Sequence, residues 1–147
     1  MDTVTDDRGQ ALVLAVLALA IAAVTIVGLR AAQDRILADA VERRAGEAAI
    51  EAAGMVMADA QLALVASLRD EFGRPRSAPT RADLEGLAAD PVVRDRALAA
   101  AERLASANGG PPPSDLSITV APRSFELTLT AGAHHQRASI ETRCCRR

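Results

Sequence analysis

From Ala11 to Leu29 the chain reads ALVLAVLALAIAAVTIVGL, nineteen residues without one ionisable side chain. As an α-helix this run extends about 28 Å, close to the roughly 30 Å of a bilayer's hydrocarbon core. A soluble core helix of that length normally carries a polar stripe, and only Thr25 and Gly28 interrupt this one. A cleavable secretory signal wants a basic start and a shorter apolar run, whereas Asp2, Asp6, Asp7 and a single Arg8 precede this one. The sequence therefore predicts a leader over 1–9 and an uncleaved single-pass membrane helix over 10–29. Cleavage after a small-residue triplet such as Ala18-Leu19-Ala20 remains the alternative. Ala11, Ala15, Ala18 and Ala22 recur at steps of four and three, which places them on one helix face where a neighbouring helix can approach closely in lipid. With 33 Ala in the chain, such a stripe also arises by chance.

Residues 30–72 contain no Pro and continue the helix as an amphipathic one. Asp39, Arg43, Glu47 and Glu51 fall at steps of four and form a polar face with attractive pairs. The opposite face reads Leu37, Val41, Ala45, Ala48, Ala52, Val56, and Phe72-Gly73-Arg74-Pro75 is the expected stop. Residues 80–107 form a helical segment in two pieces, one capped by Thr80, the second opened by Asp90-Pro91. Asn108 to Pro113 breaks it.

Beyond that breaker the period changes from 3.6 to 2. Leu116, Ile118 and Val120 alternate with polar residues; so do Phe125, Leu127, Leu129 and Ala131; so do Ala138, Ile140 and Thr142. Residues 115–143 thus predict three sequential antiparallel strands with one apolar face, joined through Ala121 to Ser124 and Gly132 to Gln136, leaving 144–147 as a tail. A bare three-stranded sheet is unstable, and the apolar stretch around Met55 to Leu68 is the expected cover. The fold class is α+β: a long N-terminal transmembrane helix that continues as a helix packed on a small antiparallel sheet.

Composition narrows function. Two Phe, no Tyr or Trp and a net charge of −2 supply neither stacking platforms nor a phosphate-binding surface, which argues against nucleic acid. The only cysteines, Cys144 and Cys145, are adjacent and cannot link distant segments. Together with His134 and His135 they number four metal-ligand types, but neighbours on a strand face opposite ways, so neither pair presents both side chains to one ion. No nucleophilic triad, phosphate loop or carboxylate pair is present, so no enzyme, cofactor or metal site is expected.

Asp7-Arg8-Gly9-Gln10-Ala11-Leu12-Val13, a polar leader ending in Arg-Gly before an unbroken apolar helix, resembles the start of the TadE/TadG-like pilus-assembly proteins, pseudopilin-like components of Tad (Flp) type IV pilus systems. The resemblance covers about the first thirty residues closely. It implies a pilin-like fold, prepilin-peptidase processing between Gly9 and Gln10, an inner-membrane helix and an extracytoplasmic C-terminal domain. Where the family commonly carries Glu at the fifth mature residue, this chain has Leu14. The charge count points the other way on topology: Arg8 precedes the span, whereas Arg30, Arg35, Arg43 and Arg44 follow it, which favours a cytoplasmic C-terminal domain. The reading that follows from the resemblance is a non-enzymatic structural component of a cell-envelope pilus or secretion apparatus, pseudopilin-like or minor-pilin-like. Its expected partners are the membrane and other pilin-like or pilus-assembly proteins, in a homo- or hetero-oligomer through the N-terminal helix. A membrane-tethered binding or regulatory module and a secreted protein with a cleaved signal are the alternatives.

Overall fold

The computed structural model describes residues 7–75 and 77–142. In order come α1 (Asp7–Ser67), α2 (Arg81–Ala89), α3 (Pro91–Ala107), β1 (Pro113–Val120), β2 (Ser124–Ala131) and β3 (His134–Glu141). The chain divides into two compact units, Met1–Asp39 and Ala40–Arg147, and α1 belongs to both.

The α+β architecture expected from the two periodicities is the one found. The strands form one antiparallel sheet in the order β1-β2-β3, with Ile118 opposite Leu127 and Leu127 opposite Ala138. Period-2 alternation puts Leu116, Phe125, Leu127, Leu129 and Ala131 on one buried face, while Ser117, Thr119, Glu126 and Arg137 remain exposed on the other. Phe125, Met57, Leu127 and Leu129 are the largest fully buried side chains. Each contributes about 1.5–3 kcal/mol of transfer free energy.

Local chemistry sets the helix limits. Thr80 and Asp83 form a reciprocal cap on α2: the Asp83 amide donates to Thr80 Oγ1 at 3.2 Å, and the Thr80 amide donates to Asp83 Oδ2 at 2.7 Å. Hydrogen bonds from the Thr80 main chain and side chain hold the Asp83 carboxyl below its ordinary pKa. The cap's contribution is therefore full above the ordinary carboxylate range and is lost in acid, as pH falls through the lowered value. Asp90 ends α2 and begins α3, its side chain accepting from the Val92 amide at 2.8 Å. In α3 the buried residues Val93, Ala97, Ala101 and Ala105 recur every four positions and face the core.

Three expectations shift. α1 ends at Ser67 rather than Phe72, because Asp70 Oδ1 accepts from the amides of Phe72 at 3.0 Å and Arg74 at 2.7 Å, closing a turn with Gly73 at φ 75° in place of another helical turn. The β2–β3 connection is only Gly132-Ala133, with Gly132 at φ 58°, so His134, His135 and Gln136 belong to β3. The third shift concerns the cover of the sheet. It overlaps Met55 to Leu68 only in part: Met57 and Gln61 are buried and Val56, Ala60 and Leu64 are half-buried against the core, whereas Met55 is 71% and Leu62 67% exposed. The cover begins earlier: Ala45, Ala49, Ala53, Met57 and Gln61 are buried at steps of four with Gly46, Ile50 and Gly54 beside them, so of the expected face Ala45 is buried while Ala48, Ala52 and Val56 lie half-buried at its flank.

Five of those eight buried residues are Ala or Gly, and at the two glycines the helix meets side chains of β3. A Cβ on Gly46 would stand 3.1 Å from the Gln136 side chain of β3, and one on Gly54 would stand 3.4 Å from Ile140. A Cβ on Gly110, after α3, would collide with Ala45, whereas one on Gly86 in α2 would meet nothing. Gly110→Ala should therefore cost about 1–3 kcal/mol of stability by overpacking. Gly86→Ala should add about 0.5–1 kcal/mol, since a helical Gly carries an entropic penalty without a packing role here. Urea unfolding followed by circular dichroism of both variants checks the contrast.

Candidate functional site

In the unit Met1–Asp39, every residue from Gly9 to Asp39 is exposed in this chain. An apolar run with no core around it needs another apolar medium, and α1 here is long and apolar enough to cross a membrane. Leu12, Val13, Leu19, Val24 and Val27 all present more than half of their surface. A core helix of a soluble domain and an N-terminal signal helix pass the same length and composition test; the first is buried, whereas this segment is wholly exposed and near the N-terminus, as a membrane or signal helix is. The run's one hydroxyl is satisfied within the helix: Thr25 Oγ1 donates to the Ile21 carbonyl at 2.8 Å. No donor from Thr25 is therefore left to desolvate in hydrocarbon. Gly28, its other interruption, has open space where a Cβ would be.

The structure places Ala11, Ala15, Ala18 and Ala22 on one exposed face of α1, and Thr25, three residues further, falls on the same face. Ala20 lies opposite. Gly9 and Gln10 are exposed near the beginning of α1 and already helical, so a peptidase acting between them needs the first turn unwound.

In the second unit the remaining candidates are dispersed. His134 Nε2 lies 3.9 Å from Glu42 Oε2, while His135 faces the other side of β3, where its Nδ1 is 3.1 Å from Thr130 Oγ1. Cys144 and Cys145 lie outside the described residues. Among the described residues no three His, Cys, Asp or Glu side chains gather as metal ligands. Features that sequence reasoning missed are Gly46 and Gly54, whose spacing of eight within an Ala-rich stretch was the available signal, and Arg94, which had none.

Comparison with protein-family models, with curated proteins and with solved structures found no match to this chain.

If the apolar run is what holds the protein in lipid, the full chain should sediment with membranes after a high-salt wash, and a chain reduced to residues 40–147 should stay in the supernatant. Ultracentrifugation of both decides it. A reduced chain that still sediments with membranes through salt would show a second membrane-binding surface.

Proposed function

We propose that this protein is a membrane-anchored, non-enzymatic structural component of a cell-envelope pilus or secretion apparatus, pseudopilin-like or minor-pilin-like, working by helix packing in the membrane. The observation that carries the reading is the combination in α1: a wholly exposed apolar segment with small residues along one face, in the same helix whose later part roofs a folded α+β domain. A face of Ala11, Ala15, Ala18 and Ala22 lets another helix approach closely in lipid, which supports packing over simple tethering. The Arg8-Gly9-Gln10 leader supports processing between Gly9 and Gln10, and the resemblance it carries supports an extracytoplasmic position for residues 40–147. The partners on this reading are other pilin-like chains or further copies of this one.

Ala18→Leu and Ala22→Leu add lipid-compatible bulk to the packing face, so insertion should persist while crosslinking to pilin-like neighbours falls about tenfold, as a loss of about 1.4 kcal/mol in association requires. Ala20→Leu, on the opposite face, should leave crosslinking unchanged. Mass spectrometry of the membrane-extracted chain should find Gln10 at the N-terminus, and Gly9→Val should abolish that species. Variants that all insert and associate like the parent, with Met1 retained, would turn the reading to a simple membrane-tethered module.

A further inference from the structure

β1 is an edge strand, and one of its main-chain groups is already in use by a side chain. The Leu116 carbonyl accepts a hydrogen bond from Arg94 Nη2 of α3 at 3.3 Å, so it faces away from β2. Successive residues of an antiparallel strand turn their main-chain groups alternately to its two sides. Ile118 and Val120 therefore face outward with Leu116, while Ser117 and Thr119 face Thr128 and Glu126 of β2. Along this outer edge lie two hollows, one on each side of Arg94. The first, about 190 Å³, is bordered by Asp95 and Leu98 of α3 and by Ser114 and Asp115. The second, about 330 Å³, is bordered by Ala88 and Ala89 of α2 and by Ile118 and Val120.

We propose that the β1 edge receives an extended segment of another protein as a fourth strand, antiparallel to β1, which seats an aliphatic side chain in the hollow at Ala88 and Ile118 and, four residues later, an Arg or Lys in the hollow at Asp95 and Asp115. The spacing fits a strand: from Leu116, at the acidic hollow, to Val120, at the apolar one, is four residues, about 13 Å, and added-strand residues opposite them share the inward face. The charges set the direction. Glu85, beside the apolar hollow, is already paired with Arg81 at 2.7 Å, whereas Asp95 and Asp115 have no ion pair among the described residues. A base is accordingly wanted at one end only. On docking, a peptide amide replaces the Arg94 donor at the Leu116 carbonyl, and a small polar residue between the two anchors leaves Arg94 room to turn aside. At β3 the hollow lies over the polar face, between Glu126, Thr128, Arg137 and Ser139. A second copy's β1 is a poor occupant, since it has no basic residue and would bring its own Asp115 to the acidic end.

The test uses the full chain in nanodiscs and a labelled peptide of alternating Thr, with Val, Ser and Arg at successive inward positions, read by fluorescence anisotropy. Saturable binding is expected. N-methylation of one alternate set of peptide amides should weaken it at least about tenfold, and methylation of the other set should spare it, because only one set faces β1. Replacing the peptide's Arg by Glu should weaken binding about tenfold, and Asp95→Arg with Asp115→Arg, both on exposed residues, should reverse that preference. Equal loss from both methylations, indifference to the charge exchange, absence of binding at millimolar peptide, or dimerisation through β1 in its place would each overturn the proposal.

Discussion

The close approach of α1 to the sheet is the contact on which the rest of the second unit depends. Three short strands expose one apolar face and have no second sheet to bury it against, so a helical layer must supply the other half of the core. α2 and α3 pack at β1. The part over β3 falls to Ala45 through Gln61 of α1, where Gly46 and Gly54 let the helix come within side-chain reach of Gln136 and Ile140. A methyl group fits at Gly54 and displaces only the Gln136 side chain at Gly46, but a branched or longer side chain at either position would push the helix away from the sheet and cost the core dispersion contacts.

The same helix therefore meets two different environments along its length. Over 11–29 its surface is apolar all round and wholly exposed within the chain, which suits lipid. From Ala45 to Gln61 one side is buried or half-buried against the domain, and Glu47, Glu51, Met55 and Asp59 face water. Small residues recur in both stretches for one physical reason, since they let a backbone approach a neighbour. In the second stretch the neighbour is the protein's own sheet.

How much of this was legible in the sequence depends on the kind of signal. Alternation in Leu116 to Val120 and Phe125 to Ala131 identified strands and their inward faces, because a one-residue slip would turn every apolar side chain to water. Thr80 and Asp90 marked helix starts through local hydrogen bonds that need no tertiary context. The phase of the α1 roof was not legible: Ala48 and Ala49 are equally apolar, so an Ala-rich helix does not declare which edge of its apolar face is buried. The end of α1 was also hidden, because it is decided by which amides the Asp70 carboxylate captures. For the candidate site, the apolar run and its alanine face could be read directly. The β1 edge could not, because Arg94 and Leu116 are 22 positions apart and meet only in the folded domain.

If the later part of α1 belongs to the folding unit of the sheet, hydrogen exchange on the full chain in a bilayer will show it. Amides of Ala45 to Gln61 should exchange only through the same global opening as those of Phe125 to Leu129, with matching free energies and matching response to denaturant. Exchange of Ala45 to Gln61 through a cheaper, local opening while the β2 amides stay protected would contradict it, since the sheet would then be holding its core without the helix.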